Sequence, residues 1–299
     1  MPELAAPSGA AWWRMRPGGL PGPARLLSAA FLLLVGVAAI GAPWLAPYDP
    51  TAADVLANLQ PPASSALPGE DLHLLGTDVL GHDILSGLIW GGRVSLTVGL
   101  SSVLGAGVLG TVVGLVAGYL RGWVDEVIMR VVDVQLSFPF ILLAVLIMYA
   151  VGPGLANVVL VLVVATWPLY ARVARAETLR HAASDFVLAA RSMGASRGRI
   201  IFRHILPNAL TPLIVVAAFA VPQMIIFEAA LSFLGLGMPP DQVSWGSMLA
   251  SGRSVLEDAW WIATLPGLAI MGTILSINIL GEALRQRIAP RAGTEGGIS

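Results

Sequence analysis

The side chains able to do chemistry in this chain are few, and the absent types decide as much as the present ones. There is no cysteine, which removes thiolate nucleophiles, disulfides and cysteine-based zinc sites together. The four histidines, His73, His82, His181 and His204, lack the HExxH spacing of a metalloprotease, so no metal site is expected. All seventeen basic residues are arginine, and a P-loop needs its lysine on the phosphates, so this chain carries no ordinary ATP site. What stands out instead is the stretch from Arg172 to Asn208, thirty-seven residues with seven arginines, lying between two apolar segments. A charged, helix-prone loop held at a membrane face suits docking on a protein. The alternative is a loop lying on anionic lipid, where each arginine adds roughly 1 kcal/mol.

The elements that must position this loop are membrane spans. Of the 299 residues 56% are apolar and 12% charged, and the apolar ones come in blocks. Runs free of arginine, aspartate and glutamate predict six helices: 26–45, 94–120, 134–151, 155–170, 209–227 and 259–281. At about 1.5 Å per residue each approaches the ~30 Å a spanning helix must cover. With the N-terminus inside, fifteen arginines fall in cytoplasmic segments and only Arg93 and Arg253 outside. The outer segment between Ala46 and Asp83 agrees, holding Asp49, Asp54, Glu70, Asp71, Asp78 and Asp83 without an arginine. Both termini are therefore expected in the cytoplasm. The 26–45 run behind its arginines is read as an uncleaved first helix, the competing reading being a signal peptide.

Within the second span Ser102, Ala106, Gly110, Gly114 and Gly118 recur every fourth residue and make one small face. Such a face admits a close backbone, either within this subunit or from a second membrane subunit. Trp44, Trp90, Trp260 and Trp261 are expected at the outer membrane edge and Trp123 at the inner one, as an aromatic belt. Glu228 is the one acid close to a span. It is read as a structural group with a polar partner, against a proton or substrate site. Asn278 and Gln223 are read as interhelical hydrogen-bond donors.

In the arginine loop, Ser184 and Asp185 are placed to cap a short helix through Arg191, which Gly194 ends in the left-handed conformation. Ser196 can cap a second helix through Arg203, with Pro207 expected to terminate it. Ala189, Ala190, Gly194 and Ala195 make an elbow small enough to enter another protein's groove. Arg191, Arg197, Arg199 and Arg203 surround it with charge.

At these residues the chain resembles a known family. Leu188-Ala189-Ala190, three residues, Gly194, and then Leu206-Pro207 resemble the EAA loop of bacterial ABC importer permeases (EAA-x3-G-x9-I-x-LP), with Leu188 for the glutamate and His204 for the isoleucine. Leu75-Gly76-Thr77-Asp78, Gly81-His82-Asp83-Ile84-Leu85-Ser86 and Gly92-Arg93-Val94-Ser95-Leu96 are similar to a signature of the C-type permeases of the dipeptide/oligopeptide/nickel group (DppC/OppC-like). Its LSFLGLGxxPPxxSWG pattern is similar to Leu231–Gly237, Pro239-Pro240 and Ser244-Trp245-Gly246, and Asn278–Arg285 resembles its C-terminal stretch.

The resemblance implies an all-α integral membrane protein with six transmembrane helices, a type I ABC importer permease fold and a cytoplasmic EAA-type coupling loop. On that reading 1–25 is a cytoplasmic tail, 26–93 the first helix with its extracytoplasmic segment, 94–285 the core with the coupling loop at 172–208, and 286–299 a second cytoplasmic tail. The implied partners are a second permease (DppB/OppB-like), two ABC ATPase subunits or one fused ATPase, an extracytoplasmic solute-binding protein, and membrane lipid, with no nucleic acid. The chain itself is then non-catalytic and without cofactor, ATP and Mg being bound by the ATPases in a bacterial or archaeal cytoplasmic membrane. With Leu188 at the glutamate position, Arg191 and its neighbours become the charge contacts to the ATPase. Peptides are the group's commonest cargo, and nickel, glutathione and other small solutes are carried by relatives. Two other classes fit the residues less well. A secondary transporter would use Glu228 as an ion-coupling site and shows no second copy of the Pro212/Pro222 segment. An intramembrane enzyme would need a base at membrane depth, where no histidine falls.

Overall fold

A computed structural model describes residues 22–64 and 72–288. Arg14, Arg16, Arg291, Glu70 and Asp71, with most of both tails, lie outside the described residues. The described chain is helical, with α1 (Gly22–Ile40), α2 (Ala42–Leu45), α3 (Ile84–Leu120), α4 (Gly122–Leu136), α5 (Phe140–Val151) and α6 (Leu155–Ala182) in its first part. There follow α7 (Asp185–Ser192), α8 (Arg197–Ile200), α9 (Leu206–Phe233), α10 (Trp245–Gly252) and α11 (Trp260–Ile288). Among the described residues the only β-type pairings are two isolated bridges, Ser64 with His73 and Thr77 with Asp83. Five helices are long and apolar enough to cross a bilayer, and α4 with α5, bent by 92° at their break, makes a sixth when the pair is counted as one span. The fold is thus an all-helical membrane bundle of five to six spans, as the sequence leads one to expect. One face holds the α7–α8 elbow and the other holds α10.

The differences from the sequence reading have local causes. The third span is broken because Pro139 disfavours helix at Phe138, and Ser137 ends α4 by donating its hydroxyl to the Asp133 carbonyl at 2.8 Å. The fourth does not stop at Tyr170 but continues to Ala182, so Arg172, Arg175 and Arg180 sit on a helix and not in a loop. Pro207 does not terminate a helix. It lies in the first turn of α9, and the five residues Ile201–Ile205 ahead of it form a π turn. The wide turn lets the Leu206 N–H reach the Ile201 carbonyl, so α8 and α9 run on as one rod despite the N–H that Pro207 lacks.

Two packed clusters organise the bundle. The main one gathers Val98, Ala106, Leu162, Tyr170, Leu213 and Ile225 from α3, α6 and α9. The second packs Val35, Ile84, Trp245, Met248, Trp261 and Ile262 around α10 and the start of α11. Trp261 is 5% exposed and donates its indole N–H to the Thr77 carbonyl at 3.0 Å, so it is a core residue and not a membrane anchor. Trp44, Trp123 and Trp260 do remain exposed.

Candidate functional site

The arginine loop folds as two short helices around a tight elbow. Ser184 takes the extended N-cap conformation of α7, yet its hydroxyl donates to the His181 carbonyl at 2.5 Å and does not cap, contrary to the sequence expectation. Its backbone carbonyl instead accepts from the Val187 and Leu188 N–H groups. At the other end Gly194 has φ +79°, the Ala195 N–H reaches the Ala190 carbonyl at 3.1 Å, and the Gly194 N–H reaches the Arg191 carbonyl at 3.0 Å. That pair of bonds is a Schellman motif, which requires the left-handed residue that glycine supplies most easily. Ser196 then caps α8 through the Arg199 N–H at 3.4 Å.

Val187, Ala190, Ile200, Ile201 and Ile205 pack under the elbow against Leu115 near the end of α3. Ala190 is only 2% exposed, so it anchors the elbow to the bundle and is not on the outward crest where the sequence reading put it. The crest is Leu188, Ala189, Arg191, Met193 and Gly194, with Ala195 half-buried beside it. His204 is half-buried in the π turn, and Leu206 and Pro207 begin α9. Leu188 and Met193 are 47% and 81% exposed, which gives the crest an apolar top where the family pattern has a carboxylate.

Charge divides into engaged and free groups. Arg175 makes a bidentate pair with Asp125 of α4 at 2.5 and 2.6 Å, and Arg172 pairs with Asp133 at 2.6 Å. Gln135 joins the same seam, since its Nε2 donates to the Val164 carbonyl, left without a helical donor by Pro168, and its Oε1 accepts from the Trp167 indole at 3.0 Å. Sequence reasoning missed these partners, although Asp125 and Asp133, eight residues apart in one segment, were the signal. Arg180 is held by Glu177 at 2.5 Å. Among the described residues Arg191, Arg197, Arg199 and Arg203 have no ion pair, and the Arg191 guanidinium lies 5.9 Å from the Tyr119 ring. The surface available to a partner is therefore an apolar crest ringed by four free arginines.

The small face of α3 meets α6 of the same chain. Ser102 and Ala106 are buried on it, and a Cβ at Gly110 would lie 2.3 Å from the Trp167 carbonyl oxygen. At Gly114 it would lie 2.3 Å from the Ala171 oxygen, and at Gly118 2.8 Å from the Thr178 Cβ. The same α3 carries the elbow at one end. At its other end Asp83 caps it by accepting from the Ser86 N–H at 2.8 Å while its second oxygen contacts His73 Nδ1 at 3.0 Å. Gly81, at φ +81°, faces the Asp54 carbonyl so closely that no Cβ fits. The Gly76 to Asp83 stretch thus folds the outer segment onto Trp261 and the start of α3.

Glu228 is fully buried in the last two turns of α9. It accepts from Ser95 of α3 at 3.0 Å and from Ser232 at 2.8 Å, with Ser244 of the α10 cap 3.4 Å beyond Ser232. Its partners are hydroxyls, which sequence reasoning had not named. Asn278 is half-buried and Gln223 is exposed, and neither makes a hydrogen bond among the described residues, so the expected interhelical bonds are not formed.

Several cavities flank the bundle. One of about 870 Å³ on the α10 face is lined by Tyr48, Asp49, Trp90, Arg93 and Asp241. There Arg93 stacks 5.4 Å over Trp90, and the Thr51 backbone N–H and hydroxyl hold the Asp49 carboxyl below the usual carboxylate range. Another, about 580 Å³, lies between α5, α6 and α9, with Leu136 of α4 and Arg285 of α11 also in its wall.

The membrane-length helices thus carry a basic elbow on one face of the bundle and a cavity beside α10 on the other. The chain matches the family model described as the binding-protein-dependent transport system inner membrane component over residues 110–293. It also matches the N-terminal transmembrane domain of oligopeptide transport permease C over residues 23–62. It is 44% identical over 261 residues to the di/tripeptide transport system permease protein DppC of Pseudomonas aeruginosa, covering 87% of this chain and 86% of that one. The glutathione transport system permease protein GsiD of Pectobacterium atrosepticum is 41% identical over 87% of this chain and 85% of its own. The dipeptide permease DppC of Haemophilus influenzae is 38% identical over 89% and 90%. An inward-facing structure of the MetNI methionine ABC transporter shares the fold at TM-score 0.57 and 20% identity, covering 68% of this chain and 97% of that one.

The chain belongs to the family of binding-protein-dependent transport system inner membrane components. It is an ABC importer permease subunit with the type I importer fold. This assignment does not favour the reading of Glu228 as the ion-coupling site of a secondary transporter.

Proposed function

We propose that this chain carries di- and oligopeptides across the cytoplasmic membrane as one half of a permease pair, with both termini in the cytoplasm. ATP and Mg are bound by two ABC ATPases, or one fused ATPase, that seat on the α7–α8 elbow, and an extracytoplasmic solute-binding protein delivers solute to the α10 face. The observation that carries the reading is the elbow itself: an exposed crest of Leu188, Ala189 and Met193, fixed by the Gly194 Schellman turn, ringed by unpaired arginines and seated on the end of α3. A push on the elbow reaches α3, and through the glycine face it reaches α6. Peptide as the cargo is supported by the names of the relatives, three of which carry di- or tripeptides or glutathione.

The test is purification from the native membrane of wild type and of a Gly194→Val/Arg191→Ala double variant, identifying what co-purifies and measuring peptide uptake in vesicles. Wild type should bring down ATPases and a second permease. The variant should lose the ATPases and keep the permease. A chain that purifies alone and still moves solute without ATP would overturn the proposal.

A further inference from the structure

Gln223 sits ten residues before the end of α9, about 15 Å into the bundle from that end. Between Pro212 and Glu228 it is the only polar side chain of the helix. It is exposed and makes no hydrogen bond among the described residues. A primary amide at that depth facing hydrocarbon would leave two donors and an acceptor unpaired, which is costly where no water reaches. The surface it occupies is therefore covered by something polar.

The cavity of about 580 Å³ has Gln223 in its wall, together with Thr166, Phe140, Phe227 and Arg285, whose charge is paired with Glu282 at 2.7 Å. Thr166 already donates its hydroxyl to the Leu162 carbonyl at 2.6 Å, so toward the cavity it offers an acceptor. At the Phe227 end the wall is closed by the Phe140 and Phe227 rings, stacked at 3.6 Å between centroids and 19° between planes. This stack joins α9 to the first residue of α5, immediately past the 92° break between α4 and α5.

The geometry points to this cavity as the chain's wall of the solute path, with Gln223 as the polar contact for the backbone amides of a passing peptide and the Phe140–Phe227 stack as its movable seal. A carboxamide donates and accepts, which matches a peptide N–H and C=O without charge, so it contacts solutes of varied side chain without trapping them. The volume on this side alone is within the ~300–1,000 Å³ typical of small-molecule sites. The seal lies at a hinge, so tilting α5 about residues 137–139 separates the rings. The peptide chemistry rests on the function proposed above, while the path assignment does not.

The absence of cysteine makes the test clean, since a single substitution places the only thiol on this chain. Gln223→Cys and, as a lipid-facing control, Leu33→Cys of α1, which is 69% exposed, are assembled with their partner subunits in nanodiscs. Both are treated with a charged, membrane-impermeant methanethiosulfonate, with labelling read as a mass shift on this chain. Gln223→Cys should react at least about tenfold faster than Leu33→Cys, because thiolate reactivity needs water access, and its rate should change when the ATPases are trapped with vanadate. Equal, slow labelling of the two in both states would overturn the path assignment. Gln223→Leu should lower peptide uptake with subunit recovery unchanged, while Gln223→Asn retains it; wild-type uptake by the leucine variant would overturn the amide contact. Labelling is indifferent to the solute carried, so fast labelling in a complex that imports no peptide would refute the cargo and leave the path standing.

Discussion

The approach of α3 to α6 is set by atoms that cannot give way, and Gly114→Ala measures it. The added Cβ would lie 2.3 Å from the Ala171 carbonyl oxygen and 2.8 Å from the Ala174 Cβ. The obstacle at 2.3 Å is backbone, so no rotamer change relieves it, and an ordinary contact of about 3.4 Å asks the helices to part by about 1 Å. A gap of that size forfeits a quarter to a half of the dispersion energy of each facing atom pair, and it is shared by Gly110 and Gly118 on the same face. Overpacking costs of about 1–3 kcal/mol are usual, and a backbone obstacle places this site at about 2–3 kcal/mol. That is a thirty- to hundred-and-fiftyfold change in the folding equilibrium, on the order of 5–10 °C in melting temperature. Gly107→Ala is the matched control on the same helix, since its Cβ would meet the Tyr170 ring at an ordinary 3.6 Å. Thermal unfolding of the purified subunit, with and without its partner permease, should show the loss at Gly114 in both cases. A Gly114→Ala protein as stable as Gly107→Ala would refute the packing argument. A loss seen only with the partner present would move the face to the interface between permeases.

Two further outcomes are expected. Glu228→Leu strands the Ser95 and Ser232 hydroxyls and should cost about 1–3 kcal/mol of stability, while Glu228→Gln keeps an acceptor and should retain assembly and uptake; a Gln variant that assembles but does not transport would give Glu228 a role in the path. A double-mutant cycle on Asp125→Ala and Arg175→Ala should give a coupling of about 1 kcal/mol, reduced by salt because the pair is partly exposed, and a coupling indistinguishable from zero would mean that α4 is not fixed to α6 by charge.

The span count and the elbow were legible because both are written in short-range patterns. Apolar blocks bounded by arginine give the helices, and Gly194 and Ser196 give the turn and the second cap. What the sequence hid were the partners, near and far, that override a residue's usual preference. Pro168 lies inside the expected fourth span, but nothing near it in the sequence shows that Gln135 from α4 supplies the Val164 carbonyl with the donor Pro168 lacks. Pro207 reads as a stop, yet a π turn absorbs it. Trp261 looks like a belt residue until the outer segment is seen to fold back and offer the Thr77 carbonyl to its indole. Ser184 is a good cap by type but finds a nearer acceptor in the His181 carbonyl. For Ser184 the preference yields to a partner 3 residues away, and for Trp261 to one 184 residues away.

These contacts also decide how movement at the elbow travels. The elbow's apolar underside, Val187, Ala190 and Ile201, grips Leu115 near the end of α3, while Ile205 continues through the π turn into α9. A displaced elbow therefore acts on α3 and α9 together. The glycine face ties α3 to α6 at backbone distance, and the Asp125 and Asp133 pairs tie α6 to α4, so these three helices are expected to move as one body. Beyond Leu136 the body ends at the α4–α5 break, where α5 returns to α9 with the Phe140–Phe227 stack at its first residue. The softest joint of the bundle on this argument is residues 137–139, and the rings that close the cavity lie immediately beyond it. Tightening the α3–α6 seam should leave that joint as the place where relative motion appears, whereas loosening it at Gly114 should dissipate the push before it reaches Phe140.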